Sequence, residues 1–256
     1  MLARIKQWAR RRAFLTRWYG RFLFPSHILR SGLHRGIAKF APRLGGDVLD
    51  FGCGSKPYEE LFAHCDSYVG IDVEDAGHDH ANSKVDRYYD GRDIPFGDAH
   101  FDGAVSFEVF EHVVDLDHTL AEIRRVLKPQ GLLLFSMPLV FGEHEMPHDY
   151  RRLTSFGIAQ LLDRSGFAIE GIHRTSSNLG TSSQMLIDAI VDCRPAGMWW
   201  KILRLPLVIA LNLLALIGDI VIPKRHDMPL GFVVLARKQD KANTAQVQDA
   251  DAKGRA

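Results

Sequence analysis

The 256-residue sequence predicts a doubly wound α/β sheet, and three observations carry that prediction. A short apolar run, V-L-D-F-G-C-G at 48–54, passes from an acid through two glycines. A second run, Y-V-G-I-D at 68–72, ends on another acid about twenty residues further on. Beyond them, strand-like runs alternate with helical patterns, the order of a parallel sheet covered on both faces.

The first two runs have the form of a βαβ unit that binds a nucleoside. Gly52 and Gly54 let backbone approach a ligand where a Cβ would collide. Asp72 falls where a carboxylate can hold both hydroxyls of a ribose. Val85–Tyr89 reads as the third strand, followed by Asp90 and Gly91. D-I-P-F at 93–96 leads into F-D-G-A-V-S-F-E-V-F-E-H-V at 101–113, the fourth strand and its exit. Leu116, Leu120, Ile123, Val126 and Leu127 recur at helical spacing up to L-K-P-Q-G, and L-L-L-F-S-M-P at 132–138 reads as a buried strand. A further helix ends at the R-S-G-F turn, 164–167, and P-L-G-F-V-V-L-A-R-K at 229–238 closes the order as the last strand. Ligands of such sheets sit beyond the carboxyl ends of the strands, where these acids and glycines fall.

The glycine spacing separates nucleosides. A dinucleotide fingerprint needs a third glycine, which packs the helix on the strand and brings its N-terminus to a pyrophosphate. Here Ser55, Lys56 and Pro57 follow Gly54, which opposes an NAD-dependent oxidoreductase on a similar fold. The D-x-G-x-G form instead resembles motif I of the class I S-adenosylmethionine-dependent methyltransferases. Residues 44–175 are similar to the type 11, UbiE-like subgroup, which includes small-molecule and lipid-quinone methylases. The resemblance implies a Rossmann-like sheet of about seven strands and S-adenosyl-L-methionine as cofactor. It implies that Asp50, Phe51, Gly52, Cys53 and Gly54 surround the methionine end and that Asp72, with Val73 beside it, holds the ribose. Asp90 and Gly91 would meet the adenine amino group, and Phe107 and Glu108 would line the methionine moiety. H-E-M-P-H-D-Y-R-R-L-T at 144–154 looks like a bacterial branch with an H-D-Y-x-R-x-T segment after the fifth strand.

H-E-x-x-H at 144–148 also has the form of a zinc-protease helix, two histidines one turn apart with a glutamate base. Pro147 opposes that helix, because it removes a backbone donor and clashes with the preceding turn. The expectation is no metal. If the acceptor is a hydroxyl, a base within hydrogen-bond reach helps to remove its proton. His148 is the first candidate, His112 the second, placed by a helical i, i+4 step from Glu108, and Tyr150 the third. His144 and Asp149 share the region. Each of these side chains can equally serve to tie a loop down.

Three cysteines without paired spacing, Cys53, Cys65 and Cys193, suggest a reducing compartment, and Cys53 reads as a small side chain beside the ligand. A net charge of +1 hides an asymmetry: residues 1–46 hold eleven Lys and Arg with no acid, leaving 21 basic against 31 acidic groups in the remainder. Leu2, Ile5, Trp8, Leu15, Trp18, Tyr19, Phe22 and Leu23 have helical apolar spacing among those arginines, the pattern of a helix lying at an anionic membrane surface. A cap on the catalytic domain, with its basic face solvated, is the equal alternative. A mitochondrial presequence is opposed by the low serine content, and nucleic acid has only this basic charge in its favour. No apolar core follows the charges to form a secretory signal.

The stretch 199–222 has 14 uncharged residues between Arg204 and Asp219, short of the roughly 20 that span a bilayer, and Pro206 and Asn212 weaken a span further. Extra core, an interfacial helix and a lid over the acceptor all remain open. The expected organisation is a basic amphipathic segment at 1–43 and a methyltransferase domain at 44–238 with an apolar insertion at about 176–227. A polar, disordered tail at 239–256 follows. The expected function is methyl transfer to a small-molecule or lipid-linked acceptor, a sugar or glycan hydroxyl favoured, in the cytoplasm or at the inner membrane face. A non-catalytic cofactor-binding scaffold subunit is the rival of another class. Neither the acceptor nor the oligomeric state can be read from the sequence.

Overall fold

A computed structural model describes residues 24–74, 83–192, 198–222 and 225–240. Most of the basic N-terminal segment, Cys193 and the tail from residue 241 lie outside the described residues. The strands are β1 (Asp47–Phe51), β2 (Ser67–Val73), β3 (Arg87–Tyr89), β4 (Phe101–Phe107), β5 (Leu127–Pro138), β6 (Phe167–Arg174) and β7 (Gly231–Lys238). The helices are α1 (His27–Phe40), α2 (Leu116–Val126), α3 (Ser155–Arg164), α4 (Asn178–Asp192) and α5 (Met198–Val221).

One seven-stranded sheet has the order β3-β2-β1-β4-β5-β7-β6. The pairs β1–β2, β1–β4, β2–β3 and β4–β5 are parallel. The last strand departs from the all-parallel expectation. Thr175 N donates to Gly231 O and Gln239 N to Gly166 O, so β7 runs opposite to β6. Likewise Leu139 N reaches Leu230 O while Lys238 reaches Leu127 O, which reverses β7 against β5. From β3 at the edge the chain returns past β2 and β1 to β4, so the order reverses between β1 and β4. That reversal opens a crevice at the carboxyl ends of β1 and β4, the place where such sheets take ligands.

Local chemistry accounts for the helices that frame the site. In α2, Leu116, Leu120, Ile123 and Val126 are buried, and the Asp115 carboxylate caps its start by accepting from His118 N at 3.0 Å. In α3, Ile158, Leu161 and Leu162 are buried, and Thr154 Oγ1 accepts from Gly157 N at 3.2 Å. Phe101, Phe110, Phe135, Leu49, Ile71 and Leu133 are among the fully buried side chains. Phe110 packs 5.1 Å from Phe135 and 6.2 Å from Phe51, centroid to centroid. It thereby pins the segment leaving β4, and its truncation to Ala should cost about 3–5 kcal/mol.

Two elements differ from the sequence expectation in extent. β3 shrinks to Arg87–Tyr89. β5 begins at Leu127 rather than residue 132, because Phe101 pairs with Leu127 and a register shift before Gly103 absorbs the K-P-Q-G turn. Gln130 takes φ 63° there.

The described residues fall into two compact units. One comprises Ile37–Met137, Glu143–His173 and the chain from Val233, and it holds most of the sheet. The other comprises the chain up to Gly36, Pro138–Gly142 and Arg174–Phe232. Its small core joins Ile28, Ile187, Val208, Ala215 and Leu230. Within it α5 runs 24 residues straight through Pro206, and Asn212 faces inward, donating to Phe24 O at 3.4 Å. Leu203–Val221 is long and apolar enough to cross a membrane, longer than the 14-residue uncharged stretch suggests, because flanking Arg204 and Asp219 lie within the helix. Leu203, Leu207, Leu214, Ile217, Ile220 and Val221 of α5 are exposed.

Candidate functional site

The glycine loop leaves β1 at Phe51 and turns sharply. Gly52 has φ 70°, and a Cβ on it would lie 2.6 Å from both Val109 methyls. Its N–H and that of Cys53 both donate to Ile71 O, at 2.9 and 3.1 Å, which ties the loop to β2. Gly54 has φ 47°, and its Cβ direction faces open space. Its N–H donates to Asp72 Oδ2 at 2.9 Å, and Val73 N donates to the other oxygen at 2.9 Å. Each carboxylate oxygen keeps a lone pair for a further donor. So the structure joins the loop and Asp72 directly, as their spacing suggests.

Asp50 is 3 % exposed and accepts from the Tyr68 hydroxyl at 2.8 Å. Burial pushes its carboxyl up to about 7, against the opposing pull of Tyr68 and of the Lys56 ammonium. Burial pushes the Cys53 thiol far up as well, so it is no nucleophile. Lys56 lies buried over the Tyr68 ring, paired with Asp86, and its stem fills the space a Cβ on Gly70 would need. Neither Tyr68 nor Lys56 stands out in the sequence. Asp90, after β3, is exposed, and its Oδ1 accepts from Arg92 N and Asp93 N at 2.9 and 3.2 Å. Those bonds hold its carboxyl below the ordinary range. Gly91 beside it has φ 82°.

At the end of β4, Phe107 stacks on Phe62 and meets Tyr58 edge-on at 5.1 Å. Glu108 takes φ 54° and turns its carboxyl back to Ser136, whose hydroxyl donates at 2.7 Å. Burial raises the Glu108 carboxyl, with Ser136 opposing. Residues 108–112 form a turn rather than a helix. His112 therefore reaches this region through that turn and not by an i, i+4 step, because Glu108 has left helical geometry.

The 144–154 loop folds against this turn. His112 Nδ1 lies 2.6 Å from His148 O, and its Nε2 lies 3.7 Å from Glu111 Oε1 and 3.5 Å from Glu145 Oε2. The His144 ring meets His112 edge-on at 4.7 Å, with its Nδ1 3.3 Å from Asp149 Oδ2. Arg152 grips Asp149 with two bonds, at 2.5 and 2.7 Å, and holds its carboxyl far below the ordinary range. Arg151 donates to the carbonyls of Phe110, Val113 and Val114. Tyr150 N donates to Glu111 O at 2.9 Å, and His148 Nδ1 lies 2.7 Å from the Tyr150 hydroxyl, a pair at the surface. The H-D-Y-x-R-x-T segment is thus largely a staple between two distant stretches, ending in the Thr154 cap.

Glu111 is the residue that sequence reasoning missed. It is 0 % exposed, and neither carboxylate oxygen has a hydrogen-bond partner. Burial, then the neighbouring Glu108 carboxyl, pushes it up to about 9. The E-H pair directly after V-F was its only visible sign.

The residues present fit the nucleoside end of S-adenosylmethionine. The open face at Gly54 admits a ligand against backbone, and Asp72 keeps acceptor capacity beside it. Comparison with known proteins agrees. Residues 24–171, more than half of the chain, match the family described as methyltransferase domain. A probable S-adenosylmethionine-dependent methyltransferase of Mycolicibacterium smegmatis is 32 % identical over 49 % of this chain and 53 % of its own. The O-methyltransferase cnsE of Penicillium expansum is 34 % identical over 38 % and 40 %. The chain thus spans about half the length of these curated relatives, or less. Among solved structures, the [4+2]-cyclase SpnF aligns at TM-score 0.51 and 22 % identity, over 82 % of this chain and 81 % of that one. A Burkholderia thailandensis N1-methyltransferase with bound S-adenosylhomocysteine aligns at 0.50 and 17 %, over 82 % and 79 %. These two show the fold alone. With more than half of its length matched and the glycine loop and its acid in place, the chain belongs to the S-adenosylmethionine-dependent methyltransferase family.

Proposed function

We propose that this chain transfers the methyl group of S-adenosylmethionine to a small-molecule hydroxyl, with a sugar or a lipid-linked glycan as the favoured class. The observation that carries the reading is the Asp72 carboxylate, bonded to the N–H of Gly54, whose Cβ direction faces open space. Asp50, Gly52 and Gly54 would hold the methionine end, Asp72 the ribose, and Phe107 and Glu108 the wall nearest the methyl group. The cofactor supplies an activated methyl with a neutral thioether as leaving group.

The work left to the chain is alignment, which can supply several kcal/mol, and relief of the acceptor's proton. His148 and Tyr150 form a hydrogen-bonded pair at the surface, and His112 lies behind them, oriented by the His148 carbonyl. Oxygen as the methylated atom draws support from two relatives, cnsE and the 27-O-demethylrifamycin SV methyltransferase of Amycolatopsis mediterranei, the latter 31 % identical over 38 % of this chain. A scaffold subunit would need no such imidazole-rich wall.

A lipid surface as partner rests on the exposed apolar side of α5 together with the eleven basic residues before Asp47. The test incubates full-length protein with methyl-labelled S-adenosylmethionine and cell extract, with Asp72→Ala as control, and partitions products between butanol and water. Label in butanol supports a lipid-linked acceptor, label in water a soluble one, and no label above the Asp72→Ala control overturns methyl transfer.

A further inference from the structure

We infer that Glu111, His112 and His144 form a binding site for a divalent transition cation of the zinc type. Each offers one ligand atom, and those atoms lie within 4.8 Å of one another. Two imidazoles and a carboxylate are the donor set of catalytic zinc sites, which keep a fourth position open.

Four observations converge on this group. Glu111 is fully buried, and both its oxygens lack a hydrogen-bond donor, an arrangement a cation would satisfy. The Nδ1 of His112 lies 2.6 Å from the His148 carbonyl, so the proton belongs on Nδ1 and Nε2 presents its lone pair toward Glu111. The Nδ1 of His144 lies 3.3 Å from Asp149, whose carboxylate is held ionised by Arg152. A carboxylate behind a histidine is how metal-ligating rings are oriented. Finally, His112 Nε2 lies 3.7 Å from Glu111 Oε1 and 3.5 Å from Glu145 Oε2, near the roughly 3.3 Å that separates ligand atoms around tetrahedral zinc. Glu145 approaches His112 but stands outside the cluster of three, so the fourth position is left to water or an acceptor oxygen.

This set is not the H-E-x-x-H pair of the sequence. His148 takes no part, since its Nδ1 faces the Tyr150 hydroxyl. The ligands come instead from the turn after β4 and from the start of the 144–154 loop, 32 positions apart in sequence at His112 and His144. The inference revises the expectation of no metal and stands apart from the methyl-transfer reading. Where both hold, a hydroxyl at the open position would give up its proton more readily.

The experiment titrates chelator-stripped, full-length protein with Zn²⁺ alone, by calorimetry and by competition with a chromophoric chelator. The expected result is one equivalent bound, with affinity falling by about 100-fold in both Glu111→Gln and His144→Asn and unchanged in His148→Asn. Circular dichroism confirms that each variant is folded. Should Glu111→Gln fail to fold, His144→Asn, on a half-exposed loop residue, decides alone. No saturable zinc binding by the wild type overturns the site, as does binding that folded variants keep or that His148→Asn abolishes. Binding of S-adenosylhomocysteine to the same samples tests the methyl-transfer reading separately, because a protein that takes zinc and not the nucleoside would fail only that reading.

Discussion

The glycine-loop end of β1 and β2 and the imidazole-rich wall after β4 are built in opposite ways. The first is backbone and spacing: two positive-φ glycines, a carboxylate on an N–H, and a parallel register that aligns Asp50 with Gly70. The second is side-chain convergence, in which Arg151, Arg152, Asp149 and three histidines lock two distant stretches together. A backbone site tolerates little change in its few glycines and is indifferent to most of its neighbours. A side-chain site spreads its function, so single losses there should be smaller and more specific in kind.

The largest contrast is expected at the ribose contact. If Asp72 holds the ribose as proposed, Asp72→Ala should cost about 2–4 kcal/mol, or about 30- to 1000-fold in affinity for S-adenosylhomocysteine. Asp90→Ala, at an exposed turn whose Oδ1 already serves backbone, should cost less than a tenth of that loss. Calorimetry on both variants ranks them, and equal losses would make the two acids equivalent and undo the assignment of Asp72.

The two glycines should separate stability from binding. Gly52→Ala drives a methyl into Val109 at φ 70° and should destabilise the fold by about 1–3 kcal/mol. Adding Val109→Ala should recover part of that loss. Gly54→Ala meets nothing, so its cost to the fold is the φ strain alone, about 1 kcal/mol, while its methyl stands on the ligand side. Thermal melts with and without S-adenosylhomocysteine check this, and a Gly54→Ala variant that binds normally would move the nucleoside elsewhere.

These glycines were legible because their geometry is local: a strand, a sharp turn and an acid one strand away set the spacing. The wall was only half legible. H-D-Y-x-R-x-T showed that a loop mattered, but what Arg151 holds lies some forty residues earlier, at the Phe110 and Val113 carbonyls. No periodicity records such a contact. Glu111 was hidden because a buried acid looks in sequence like a solvated one. Lys56 went unnoticed for the related reason that lysine is rarely buried, whereas here its stem fills the hollow above Gly70. The reversal of β7 left no sign either, since a strand buried on both faces reads as an apolar run in either direction.

Asp50 allows the backbone site to be tested by pH. Its folded-state carboxyl is raised to about 7, so the folded protein holds a proton that the unfolded chain has already released above about 4. Stability contributed at this position therefore falls as pH rises from about 4 to about 7. Asp50→Asn, fixed in the neutral state, should gain melting temperature over wild type at pH 8 and little at pH 5. The cationic amino group of the cofactor has the opposite preference, so wild-type affinity should rise through pH 7 and the variant's should stay flat. A wild type whose affinity does not change across that range would separate Asp50 from the methionine end.

The smallest effect belongs to the last residue of the staple. Thr154 Oγ1 accepts from Gly157 N at 3.2 Å, capping the first turn of α3. Thr154→Ala should lose about 1 kcal/mol, a shift of about 2–4 °C in a chain of this size, and Thr154→Ser should restore most of it. Nucleoside affinity should stay as in wild type, because the cap acts on α3 and not on the glycine loop. A melt unchanged by Thr154→Ala alongside lost nucleoside binding would make the threonine part of the site itself. It would also erase the division between a site of backbone and a wall of side chains.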